Sequence, residues 1–185
     1  LAMAVEKKNW PESGLYYPQF MMFPYTFSRA WRDGGAREGP MPAAADKLLL
    51  DVLKVQKDWE KATPSHPGSF PGGEDRSDQL STALGLITLL NLGEETAIRV
   101  GQVEAYRRAM ARAASYLVKT GQENKYHNKI ATKVRFGDIK PRAWETGLFF
   151  AASFWALGQW RSEAYAVAMV LEALSKYALA YDQSG

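Results

Sequence analysis

Apolar positions recur at helical spacing along most of the chain, and the densest run lies at its C-terminal end. Residues 144–181 are apolar, small or aromatic at almost every position, and residues 147–160 contain no charged side chain. A helix that is apolar nearly all round is buried on more than one side. The segment therefore predicts two buried helices, with a turn at Gln159 and Ser162 as the cap of the second, that form a wall between the core and neighbouring hairpins.

The same spacing predicts four earlier helices. Their bounds are about 11–31, 43–59, 78–92 and 98–120. Pro18 and Pro24 should kink or interrupt the first helix, because proline lacks the amide proton of a regular turn. Gly93 is placed to end the third. The loops that separate the helices, about 60–77 and 121–142, are of a length that is uncommon in ordered proteins and often functional.

Paired in order, the six predicted helices form three antiparallel hairpins in a single all-α domain that spans 1–185. The hairpins cover about 10–59, 77–120 and 144–181. Small residues recur near the start of the first helix of each hairpin, at Gly14, Ser81 and Gly147, with a period of about 66 residues. Such repetition predicts hairpins that stack on one another. An ordinary six-helix bundle is the alternative.

Several segments resemble hairpins of the α/α-toroid superfamily, closest to its squalene-cyclase and prenyltransferase-type repeats. The resemblance is carried by DRSDQLSTALGLITLLNLG, WETGLFFAASFWALG, WRSEAYAVAMVLEALSKY and the aromatic-rich GLYYPQFMMFPYTFSRAW. Inner and outer helices of that family form a barrel around an apolar, aromatic-lined cavity. The resemblance implies an α/α-toroid-like arc in which the first helix of each hairpin lies inside. A full ring in that family has about twice as many hairpins. The resemblance therefore implies that another protein chain or a second copy completes the ring; a lost segment and a different closure are the alternatives.

Aromatic side chains are concentrated on the two proposed inner helices near the ends of the chain. Six residues are predicted to form a ligand-binding surface: Tyr16, Tyr17, Phe20, Trp144, Phe149 and Phe150. Rings on a concave face can stabilise a carbocation or bind a sugar or an isoprenoid. Rings at these positions can equally fill a core or meet a partner protein, where aromatic residues are enriched.

Asp75, Asp78 and Glu145 are the candidate catalytic acids. Carboxylates clustered near the start of a helix can share a proton, which raises one pKa and makes that group a general acid. The alternative is helix capping, since acids at the N-cap and in the first turn satisfy free amides and the helix dipole. Arg76 lies within the first cluster, and its neutralising charge favours capping.

Composition narrows the classes of function. The 185 residues include no cysteine, which excludes disulfides and thiolate metal sites. The histidines, His66 and His127, lie in the long loops without acids at ligand spacing, so neither a metal nor a cofactor is predicted. A formal charge of +3 is too small to indicate specific nucleic-acid binding. No apolar run is long enough for a transmembrane segment. The first residue is Leu1, which predicts a processed or truncated product and favours an exported protein over a cytoplasmic one.

Two interpretations of function remain open. The leading one is a non-catalytic or accessory α/α helical-repeat domain that presents an aromatic concave face to a partner chain or an apolar ligand. The alternative is a terpenoid-cyclase-like or glycan-active α/α-toroid enzyme that uses its loop carboxylates. The enzyme requires a closed, water-poor cavity faced by two acids, whereas the accessory domain requires a large exposed apolar patch.

Overall fold

The computed structural model describes residues 19–34, 41–72, 77–123, 142–144, 150–151, 159–160 and 163–182. These residues contain five α-helices: α1 Gln19–Gly34, α2 Met41–Ala62, α3 Gln79–Arg99, α4 Val103–Thr120 and α5 Glu163–Asp182. The predicted all-α class is confirmed. The predicted second helix extends by a few residues at each end.

The helix α3 lies at the centre of the described helices, and the other four pack on it. Contacts also join α1 to α2, α2 to α4, and α4 to α5, and Tyr165 of α5 reaches Met22 of α1. We call α1, α3 and α5 the first layer and α2 and α4 the second layer. The helix α3 has four described helical neighbours, whereas α5 has three.

The central position of α3 matches its sequence. Residues 80–89 are all buried, and this part of the helix carries no charged side chain. Burying each large apolar side chain contributes about 1.5–3 kcal/mol. Two buried polar side chains of α3 are hydrogen-bonded: Thr88 Oγ1 donates to the Leu84 carbonyl at 2.7 Å, and Asn91 Nδ2 donates to Ser28 Oγ at 3.3 Å. Such bonds offset the cost of burying polar groups within a helical core.

The prediction that the second helix of segment 144–181 is buried on several sides is wrong. On α5 the fully buried residues Ala166, Val170 and Ala173 share one face, and the opposite face is exposed. The reason lies in the packing, because α3, and not the C-terminal segment, lies between the other described helices.

Two glycines shape the connection from α3 to α4. Gly93 has φ 80° and ψ 162°, so it breaks the helix where the sequence predicted a stop, and helical backbone resumes through Arg99. Gly101 has φ 67° and precedes the start of α4 at Val103. Positive φ values favour glycine, which has no Cβ. The predicted start of this helix near residue 98 is wrong, since Ile98 still belongs to α3.

The helix α1 continues through Pro24. Pro24 therefore does not interrupt the helix, and the predicted alternative, a kink at this proline, stays a prediction. A proline inside a helix forfeits one backbone hydrogen bond, and here α1 packs along α3 and buries Met21 and Phe27 completely. Pro18 and the predicted start of the first helix lie outside the described residues.

Short antiparallel strand pairs, each of two residues per strand, close the connections between helices. They are β1 Phe70–Pro71 with β2 Ser77–Asp78, β3 Gln122–Glu123 with β4 Arg142–Ala143, and β5 Phe150–Ala151 with β6 Gln159–Trp160. The last pair contradicts the predicted fifth helix, because Phe150 is extended and lies opposite Trp160. Aromatic residues favour such extended pairs. The remaining residues of that predicted helix, apart from Trp144 and Ala151, lie outside the described part of the chain.

The loop after α2 is held against three helices. Gln56 is buried, and its Nε2 donates to the carbonyls of Gly68 at 2.9 Å and Ala109 at 3.2 Å. Phe70 is fully buried, and its ring packs against Gly85 of α3. A Cβ added at Gly85 would lie 2.7 Å from the nearest atom of that ring. These contacts tie α2, α3 and α4 together through the loop.

Candidate functional site

The predicted catalytic acids fall mostly outside the described residues. Asp75 and Glu145 lie there. Asp78 is described by its backbone alone, in β2 opposite Phe70 and directly before α3. Among the described residues no cluster of three histidine, aspartate or glutamate side chains could hold a metal ion. The catalytic assignment of these three carboxylates stays a prediction.

Most of the predicted aromatic surface is likewise not described. Tyr16, Tyr17 and Phe149 lie outside the described residues. Phe20 is in the first turn of α1 and Phe150 is in β5, both described by backbone only. The helix α1 also carries Phe27, whose side chain is fully buried.

Trp144 is the one predicted ligand-binding residue whose side chain is described. It is buried, and its Nε1 donates to the Leu117 carbonyl at 2.8 Å. That carbonyl also accepts a hydrogen bond from the Gly121 amide at 3.2 Å, at the C-terminal end of α4. The indole also lies 3.2 Å from the position of a Cβ on Gly121. Trp144 therefore anchors the β3–β4 pair to the end of α4.

The exposed side of α5 carries no charge. We call it the α5 edge, and it consists of Ala168, Leu171, Ser175, Ala178 and Leu179. Leu171 is 51% exposed and Leu179 is 62% exposed. Their spacing of three or four residues places these side chains in one stripe along the helix. The stripe is small and apolar for most of its length.

The charged groups of α5 with described side chains flank the α5 edge and neutralise each other. Lys176 Nζ lies 2.8 Å from Glu172 Oε1, an i,i+4 pair on the helix surface. Neither side chain projects a net charge onto the α5 edge. The stripe is consequently free of electrostatic features that would specify a charged partner.

Two half-buried tyrosines of α5, Tyr165 and Tyr177, lie away from the α5 edge. The Tyr165 hydroxyl donates to Met22 Sδ of α1 at 3.8 Å, and burial raises the pKa of Tyr165. The ring of Tyr177 lies 4.6 Å from that of Tyr181 between centroids, and burial is also the main cause that raises the pKa of Tyr177. Burial disfavours the ionised phenol, so these groups stay neutral on the packed side.

The exposed faces of the other helices are charged. On α1 the exposed side chains include Arg29, Arg32 and Asp33, and hydrogen bonding to Arg32 lowers the pKa of Asp33. The helix α4 exposes Arg107, which pairs with Glu94. The α5 edge thus differs from the surfaces around it. Its helical spacing is visible in the sequence, where the pattern predicts a buried face.

Comparisons with protein-family models, with curated proteins and with solved structures found no match to this chain. The resemblance to α/α-toroid repeats therefore stays an expectation from the sequence. Among the described helices, none has both the length and the apolar character needed to cross a membrane.

Proposed function

We propose that this chain is a non-catalytic helical accessory domain that works by binding another protein chain, and that the α5 edge is its interface. One observation carries the proposal: the α5 edge is an exposed stripe without charges, while the exposed faces of the neighbouring helices are charged. Contiguous exposed apolar surface marks interaction sites in soluble proteins. The aromatic concave face predicted from the sequence remains part of the proposal for the residues that are not described.

The occupant that fits this surface is a second copy of the chain. In a two-fold dimer the same patch meets itself, so every charge on it would face a like charge or lie close to one. The α5 edge carries none, and Ala168, Ser175 and Ala178 leave room for two helices to approach closely. Leu171 and Leu179 would supply the apolar contacts across the interface.

The proposal keeps the α/α-toroid-like arc that the sequence led us to expect. In such an arc the next hairpin would pack on the α5 edge, and a second copy would take that place.

Sedimentation velocity of the purified chain tests the proposal. One face of a 20-residue helix is a small interface, so we expect a reversible dimer that forms between about 1 and 100 μM. Leu171→Glu should place a charge in the interface and give a monomer throughout this range. Val118→Glu is the matched control, because Val118 on α4 is also 51% exposed, and it should dimerise as the wild type does.

Two results would overturn the proposal. One is a wild-type chain that stays monomeric up to about 100 μM. The other is a dimer that Leu171→Glu weakens no more than Val118→Glu. Circular dichroism of each variant shows that a loss of dimer is not a loss of folding.

A further inference from the structure

The second helical layer contains a groove that is separate from the α5 edge. It lies between α2 and α4 and has a volume of about 530 Å³. This size is within the range of sites that bind small molecules or several side chains of a peptide. Both helices that form its walls also pack on α3, so the groove lies on the surface of the packed helices.

Positive charge dominates the groove. Five basic and two acidic side chains line it. Each acid is paired: Arg112 Nη1 lies 2.8 Å from Glu60 Oε2, and Lys61 Nζ lies 3.6 Å from Asp58 Oδ1. The three remaining basic groups, Lys54, Lys57 and Arg108, have no acidic partner within the described part of the chain.

One wall of the groove is fixed in place. Glu60 Oε1 accepts a hydrogen bond from the Gly68 amide at 2.6 Å, while its other oxygen binds Arg112. Gly68 has φ 88°, and a Cβ there would lie 2.2 Å from the Arg112 carbonyl oxygen. The loop, α2 and α4 therefore hold this end of the groove rigidly, which lowers the cost of ordering on binding.

Apolar groups lie between the free cations. Leu50, Leu53, Ala105 and Ala109 contribute to the lining, and Leu50 is 44% exposed. A ligand that fits both features carries carboxylates beside apolar side chains. A nucleic acid fits less well, because the apolar lining gives no contact to phosphates and the two acids would lie close to its backbone.

We propose that the groove between α2 and α4 binds an acidic, amphipathic segment of a partner protein, with Lys54, Lys57 and Arg108 contacting its carboxylates. The leucines contact the apolar residues of the segment. The ion pairs contribute mainly to specificity and to the association rate. The binding is consequently sensitive to salt, since exposed charges are screened over about 8 Å at physiological ionic strength.

Fluorescence anisotropy with a labelled peptide of alternating glutamate and leucine pairs tests this proposal. The wild-type chain should bind it, and the affinity should fall about tenfold between about 50 and 500 mM NaCl. A peptide with lysine in place of glutamate should not bind. The double variant Lys54→Gln, Arg108→Gln should lose at least about tenfold in affinity, which corresponds to about 1.4 kcal/mol.

Arg29→Gln is the matched control, because Arg29 is an exposed arginine on α1 in the other layer and its loss changes the net charge in the same direction. It should leave peptide affinity within about twofold of wild type, since exposed ion pairs contribute little. Three results would each overturn the proposal: no binding at low salt, equal losses in the groove and control variants, or tighter binding of a single-stranded oligonucleotide than of the peptide. The variants keep Leu171, so their dimerisation reports separately on the α5 edge.

Discussion

The helices α3 and α5 are both rich in apolar residues and poor in charge, but they differ in how much of that surface is buried. On α3 each position from 80 to 89 is buried, whereas on α5 Leu171 and Leu179 are more than half exposed. The cause is the number of packed neighbours, four for α3 and three for α5 among the described helices. An apolar helix thus fills the centre of a core or forms an edge that another chain can cover, and its composition does not distinguish the two.

The largest effect should come from truncating the centre of α3. Leu86 is fully buried, so Leu86→Ala should lower the free energy of unfolding by about 2–5 kcal/mol through lost burial and a residual cavity. Urea denaturation followed by circular dichroism measures the change. A cost below about 1 kcal/mol would mean that α3 is not the packed centre of the fold. The contrast between α3 and α5 would then fail.

A smaller loss of unfolding free energy should follow from adding a side-chain atom at Gly85 of α3. In Gly85→Ala the added Cβ would lie 2.7 Å from the Phe70 ring, so we expect a loss of about 1–3 kcal/mol despite the better helix propensity of alanine. Gly34→Ala is the control, since no atom lies within 4 Å of a Cβ there. Combining Gly85→Ala with Phe70→Leu should recover part of the loss, and strict additivity would contradict the proposed contact.

Stability at alkaline pH should depend on a tyrosine buried between α4 and α5. Burial is the largest cause that raises the pKa of Tyr106 on α4 above the ordinary value of 10.0, with a contribution from Tyr181 of α5. The unfolded chain therefore releases this proton at a lower pH than the folded chain does. The contribution of this proton to the free energy of unfolding is fully present below about pH 10. It is lost as the pH rises further, by up to about 1.4 kcal/mol per pH unit.

The measurement is the free energy of unfolding from neutral pH to about pH 11 for the wild type and for Tyr106→Phe. The variant should show a shallower decline, because the contribution of Tyr106 is removed. Some decline should remain, because Tyr165 and Tyr177 still contribute. Identical slopes in the two proteins would show that Tyr106 does not hold its proton through burial between α4 and α5.

The smallest effect should come from the α5 edge itself. Leu171→Ala should change the unfolding free energy of the monomer by less than about 0.5 kcal/mol, since an exposed side chain loses little burial. The measurement belongs at low protein concentration, where the monomer dominates. A loss comparable to that of Leu86→Ala would show that the two helices are buried alike and would remove the contrast between them.

The prediction of sites from the sequence succeeded least where a residue's role depends on its neighbours. Trp144 stood out as a large ring beside candidate acids, but its bond to the Leu117 carbonyl depends on β4 lying at the end of α4. The basic groove was not predicted, because Lys54 and Arg108 lie far apart in the sequence and come together only when α2 packs on α4. The acids Asp75 and Glu145 and the rings of Tyr16, Tyr17 and Phe149 remain untested predictions.

The sequence alone determined the all-α class, the approximate positions of α2, α3 and α5, and the break at Gly93, because these follow from local periodicity and from the backbone freedom of glycine. Tertiary structure decided which apolar helix is central, and it placed Phe150 in an extended pair and let α1 continue through Pro24. Those outcomes depend on contacts between segments distant in the chain, and such packing overrides local propensity.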